Sequence, residues 1–152
     1  MSKYFATVEW LRGEQKFLDR KYSRGHEWRF DGGVVVPASS SAHIVPVPMS
    51  VADNVDPEEA FVASLSSCHM LFFLDFASRA GLVVDRYTDQ AVGTLAKDQH
   101  GRLSMTEVIL RPAIVFVEQQ PCAEQVAKLH HQAHAACFIA NSVHTEVRIE
   151  PQ

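Results

Sequence analysis

The chain carries three residues able to do covalent chemistry by thiol attack: Cys68, Cys122 and Cys137. A thiolate is a strong nucleophile, and a pair of thiols can cycle between dithiol and disulfide. An odd, low count with no secretion signal argues against a structural disulfide framework and for redox or nucleophilic work. Cys68 lies in FVASLSSCHMLFFLDF, residues 61–76, and Cys137 in HHQAHAACFIANSV, residues 130–143. A lone cysteine on an apolar face is usually an inert core residue. Two of them on two helices can meet and form a pair. Cys122 follows Pro121 at a helix start, where the positive helix end favours a thiolate. It is read here as an ordinary thiol with no assigned role.

The histidines offer a rival chemistry. His130, His134 and Cys137 fall at i, i+4 and i+7, on one helix face, and His69 flanks Cys68. Nitrogen and sulfur donors at that spacing are zinc ligands in other settings. The chain has no Cys-x-x-Cys and no His-Glu-x-x-His, so no metal and no cofactor is expected.

These residues need elements to position them, and the chain is long enough for one ordinary domain over 1–152. It is 47% hydrophobic and 21% charged, with a net charge of −4, which gives no basic footprint for nucleic acid. The start, MSKYFATVEWLRGEQ, has no basic segment followed by an apolar one, and no signal peptide is expected from it. The apolar stretch 61–76 is interrupted by Ser64, Ser66, Ser67, Cys68, His69 and Asp75, and is read as too short and too polar to span a bilayer. A soluble cytoplasmic protein is the expectation.

Alternation predicts strands over Tyr4–Leu11, Lys16–Tyr22 and the His26, Trp28, Phe30 segment, with a short extension at Val34–Val36. Residues 37–56, with Pro37, Pro46, Pro48 and a serine run, read as a long surface excursion, a kind of loop that often carries function. Asp56 and Pro57 then open a helix that runs to about Ala80 and stops at Gly81. Two long strands follow, Leu82–Lys97 and Arg102–Val117, joined by a turn at Asp98–Gly101. A second helix runs from Pro121 to about Ile139, and Ser142–Glu150 alternates as a last strand. The order is β-β-β-α-β-β-α-β, an α+β arrangement.

The segment Asp56-Pro57-Glu58 with Cys68 ten residues after Glu58 resembles the first signature of the OsmC/Ohr family. Ala133-His134-Ala135-Ala136-Cys137-Phe138-Ile139-Ala140-Asn141 resembles its second, an Ala-His-x-x-Cys-x-x-x-Asn run. The resemblance spans essentially the whole chain. It implies two central helices against antiparallel sheets in an intertwined homodimer. It also implies a thiol peroxidase acting on organic hydroperoxides, in which Cys68 attacks the O–O bond and Cys137 resolves the sulfenic acid. In the family an arginine and the glutamate of the first motif assist. Glu58 carries over, and Arg24, with Arg29 as second choice, is the candidate arginine. The implied reductant is a small dithiol of the lipoyl type. Cys137 precedes Phe138 where the hydroperoxide-resistance branch often has proline, and the 37–56 excursion is longer than that branch usually carries. OsmC and Ohr both stay open.

The chemistry explains why such partners are needed. Cys68 is mid-helix, beyond the reach of the helix dipole, and apolar neighbours disfavour its thiolate. A cation must offset this, and an arginine stays charged in an apolar pocket. Ten residues of regular helix separate Glu58 from Cys68 by about 15 Å. Glu58 then serves the partner subunit's site, or the helix starts later. Phe61, Leu65 and Phe72 share the Cys68 face at helical spacing and are the expected substrate contacts, suited to an alkyl or acyl chain. The alternatives are a non-catalytic carrier of apolar ligands, a His/Cys metal-binding module, and a thiol enzyme acting on another electrophile such as a thioester.

Overall fold

A computed structural model describes all residues, 1–152, as an α+β fold in two compact units, 1–60 and 61–152. In the first unit β1 (Ala6–Glu9), β2 (His26–Phe30) and β3 (Val35–Ala38) form an antiparallel sheet in the order β1-β2-β3. Trp28 of β2 sits opposite Val8 on one side and Val36 on the other. The strand expected over Lys16–Tyr22 is instead a series of turns. Polar side chains there offer the backbone local partners that compete with a ladder. Gln15 Oε1 accepts the Ser23 N–H at 2.6 Å, and Asp19 Oδ1 accepts the Lys21 N–H at 3.0 Å. Phe17 and Tyr22 stack at 4.6 Å between ring centroids, against Trp10.

The 37–56 excursion is pinned to the end of β3. Ser39 donates its N–H to Val55 O and accepts the Val51 N–H on its hydroxyl, while Asn54 donates to Ala38 O. It ends in a capping box at the next helix. Asp56 Oδ1 accepts the Glu59 N–H at 2.8 Å, and Glu59 Oε2 accepts the Asp56 N–H at 3.2 Å.

Helix α1 (Pro57–Arg79) contributes its residues from Phe61 onward to the second unit. It ends where Gly81 takes a left-handed φ of 73°, a conformation glycine adopts without strain. By length and composition alone α1 could cross a membrane, with a mean hydropathy of 1.5 in its best window, contrary to the sequence expectation. Its inward face is filled by protein: Leu65, His69, Phe73 and Ala77 are all buried.

The two long strands expected after α1 are each bent into two. They give β4 (Val83–Asp89), β5 (Val92–Lys97), β6 (Leu103–Leu110) and β7 (Pro112–Val117), four strands between the helices. β4 pairs with β7 and β5 with β6, so one hairpin ribbon changes sheet at its middle. The bend is held by Asp89. Its Oδ1 accepts the Arg111 N–H at 2.6 Å and its Oδ2 accepts the Ser66 hydroxyl at 2.5 Å. Helix α2 (Ala123–Ala136) stops earlier than expected, at Cys137, and a 3-10 turn at Ala140–Ser142 follows. β8 (Glu146–Ile149) then joins β6, and this pairing is parallel rather than antiparallel.

The bend splits the core in two. Leu65 packs with Val108 and Leu110 over the β5-β6-β8 sheet, with Phe61, Val62 and Ile149 around them. Phe73 and Ala77 pack with Leu82, Leu129 and Ala133, walled by Val84, Ile114 and Phe116. α1 comes very close to β5: a Cβ added to Gly93 would lie 2.5 Å from both Val62 Cγ2 and Met105 Cε.

Candidate active site

Cys68 is positioned by the middle of α1, and Cys137 by the end of α2, where its backbone turns extended and caps the helix. The two thiols are close enough for Cys68 to act on the proton affinity of Cys137, and both are free. Their environments differ. Cys137 is 1% exposed, whereas Cys68 is partly open. Burial first, and the neighbouring Cys68 thiol second, push the Cys137 thiol up to about 11. The backbone N–H of Ala140, 3.4 Å from Cys137 Sγ, offsets part of this. At neutral pH Cys137 is therefore a protonated thiol beside Cys68.

Cys68 opens on a cleft of about 470 Å3 lined by Ser64, Ser67, Leu71, Phe72, Asp75, Phe138 and Ile139. Ser64 and Ser67 donate their hydroxyls to backbone carbonyls one turn back. Asp75 is bound by Arg79 at 2.9 Å on the outer side. Phe72 and Phe138 meet edge to face, 5.0 Å between centroids, and form the apolar wall. Of the three expected substrate contacts, Phe72 lines this cleft. Leu65 is core, and Phe61 packs against it. Ser64, Leu71 and Asp75 stand at i−4, i+3 and i+7 from Cys68, as near to it by helical spacing as Leu65 and Phe72 at i−3 and i+4.

The residues expected to assist, Arg24 and Glu58, lie in the first unit. The Arg24 guanidinium sits 3.8 Å from the Tyr22 ring centroid, and its Nη1 donates to the carbonyl oxygens of Arg20, at 3.0 Å, and of Tyr22. Neither Arg24 nor Glu58 has an ion-pair partner within the chain, whereas Arg29 is held by Glu9 and Glu27 at 2.9 and 2.8 Å. α1 is unbroken from Pro57, the condition under which Glu58 is remote from its own Cys68.

The histidines are arranged differently from a metal site. No group of three or more His, Cys, Asp or Glu side chains is placed to hold an ion. His69 and His130 are buried instead, with Nε2 of the first 3.0 Å from Nδ1 of the second. Cys122 is exposed at the start of α2, its N–H donating to Gln125 Oε1 at 2.9 Å.

Comparison with known proteins fits this geometry. A family model described as OsmC-like protein matches residues 51–152. An OsmC-like protein of unknown function from Vibrio cholerae is 54% identical over 100% of both chains, with a TM-score of 0.98. This chain belongs to the OsmC-like family. Its fold also matches an organic hydroperoxide resistance protein from Elizabethkingia anophelis, with a TM-score of 0.72, 18% identity, and 99% and 94% of the two chains covered. The organic hydroperoxide resistance protein OhrB of Bacillus subtilis matches with a TM-score of 0.69 and 16% identity, over 99% and 98%. No curated protein matched the chain. The OsmC-like fold thus places one thiol at an apolar cleft and a second, protonated thiol directly behind it.

Proposed function

We propose that this OsmC-like protein is a thiol-dependent peroxidase that reduces organic hydroperoxides. The observation that carries the reading is the asymmetric thiol pair, with Cys68 at the cleft and Cys137 buried beside it. Cys68 sulfur attacks the terminal peroxide oxygen. The O–O bond breaks, the alkoxide takes up a proton and leaves as an alcohol, and Cys68 becomes a sulfenic acid. Cys137 sulfur then attacks Cys68 sulfur. The S–O bond breaks, and the Cys137 proton leaves with the hydroxide as water. The product is a Cys68–Cys137 disulfide, which a small dithiol of the lipoyl type reduces by exchange.

Apolar walls at Leu71, Phe72 and Phe138 favour a peroxide with an alkyl or aryl body. We assign Arg24 as the cation for the thiolate and Glu58 as its counter-ion, both reaching the site from the partner subunit of a homodimer. Supporting a dimer, the first unit buries one hydrophobic residue fully, Ala38, and leaves Tyr4, Val8, Leu11 and Leu18 exposed. So small a core does not sustain a unit of that size alone. In that dimer residues 1–152 act as one domain. Exchangeable thiols of this kind suit a cytoplasmic location.

The test is a Cys137→Ser variant given one equivalent of cumene hydroperoxide. It should stop at a Cys68 sulfenic acid that a dione reagent traps, while Cys68→Ser should not react faster than a free thiol. Equal reactivity of the two variants would overturn the assignment.

A further inference from the structure

The His69–His130 pair lies outside the cleft and has no part in the steps above. The ring planes are 12° apart and the centroids 5.3 Å apart. That separation is about the N···N distance of 3.0 Å plus one ring radius at each end, so the two nitrogens point straight at each other. This is a linear N–H···N bond. Two imidazoles pointing at one another in this way do not converge on an ion between them. His69 Nδ1 and His130 Nε2 have no partner within the protein, and neither has the buried Nδ1 of His134. One outer nitrogen of a neutral pair must be an N–H and the other a lone pair. Leaving each unsatisfied costs about 1–3 kcal/mol, which two apolar side chains would avoid. Such a bond fixes geometry better than it adds stability.

What it fixes follows from where it sits. His69 is next to Cys68 on α1. His130 precedes Cys137 by seven residues, two turns of α2 and about 10 Å along its axis, on the same face. Adjacent residues of α1 thus touch α2 at two points set well apart. Two contacts on that baseline set the direction of α2 across α1, and so the place where its last residue ends. Phe73, with its centroid 4.5 Å from that of His130, packs the pair from the α1 side.

We propose that His69 and His130 are positioning residues: their hydrogen bond clamps α2 on α1 so that Cys137 meets Cys68. The titratable groups facing the pair are His134 on α2 and Asp89 on β4. One added proton leaves an N–H···N bond in place. A second turns it into two opposed donors and opens the clamp.

The inference rests on the proposed Cys68–Cys137 disulfide but not on peroxide chemistry. The experiment therefore uses thiol exchange: the protein dithiol plus glutathione disulfide gives the protein disulfide plus two glutathione thiols. Its equilibrium constant reads how well the two thiols are placed. His130→Leu keeps the volume and removes the bond. His130→Asn puts an amide where Nδ1 stood. We expect the constant to fall roughly tenfold in His130→Leu, about 30 mV for this two-electron couple, and to return to near wild type in His130→Asn. An unchanged constant in a folded His130→Leu, with only the melting temperature lowered, would reduce the pair to a core contact and overturn the proposal. So would a wild-type protein that forms no such disulfide. A protein that forms the bond yet ignores hydroperoxides would sink the peroxidase proposal alone.

Discussion

Cys137 is buried against Cys68, and only Cys68 reaches the cleft. This order separates the two thiols chemically. In the proposed cycle the outer one meets the peroxide, and the inner one meets only the product of that encounter. The raised proton affinity of Cys137 has the same sense, because burial and the neighbouring Cys68 both keep it a thiol.

In the proposed peroxidase the cleft wall sets the substrate preference. Phe72→Ala removes an aromatic face beside Phe138, and burying such a face contributes on the order of 2 kcal/mol. We expect kcat/KM for cumene hydroperoxide to fall by on the order of tenfold, with hydrogen peroxide nearly unaffected. Parallel rate measurements on the two peroxides check this. An equal loss for both would show that Phe72 shapes the thiol pair rather than the substrate pocket.

Acid should loosen the second unit. Burial, chiefly, lowers both His69 and His130 from 6.5 to about 4. The unfolded chain therefore binds more protons than the folded one as pH falls through this range. The stability tied to neutral imidazoles is present above pH 6.5 and is lost as pH falls toward 4. Urea midpoints across that window should fall with pH in the wild type, and less steeply in His130→Leu.

Gly93 marks the closest approach of a sheet to α1. In Gly93→Ala the new methyl must displace both Val62 and Met105. We expect a loss of about 1–3 kcal/mol, the usual range for overpacking a filled core, measured by chemical denaturation. A neutral result would mean that β5 can move away from α1.

Much of this was legible in the residues. Asp56, Pro57 and Gly81 bound α1 as their cap and stop chemistry requires, and the two cysteine motifs led to the family. The side of α1 that holds the cleft was not legible. That helix is apolar nearly all round, so periodicity does not say whether Phe61 and Leu65 or Ser64 and Leu71 face the opening. The answer comes from the β5-β6-β8 sheet, which takes up Phe61 and Leu65. The bend at Asp89 was hidden for a similar reason. Alternation runs through it, and only the long-range bonds from Ser66 and Arg111 mark it. The His69–His130 bond spans 61 residues and leaves no local trace.

The most direct test of the account adds one equivalent of cumene hydroperoxide to the reduced protein and follows free thiols and intact mass over seconds. The account predicts rapid loss of two thiols and of the mass of two hydrogen atoms, mapped to a Cys68–Cys137 bond, and faster than with hydrogen peroxide. Oxidation no faster than that of a free thiol, or a bond that omits Cys137, would contradict it.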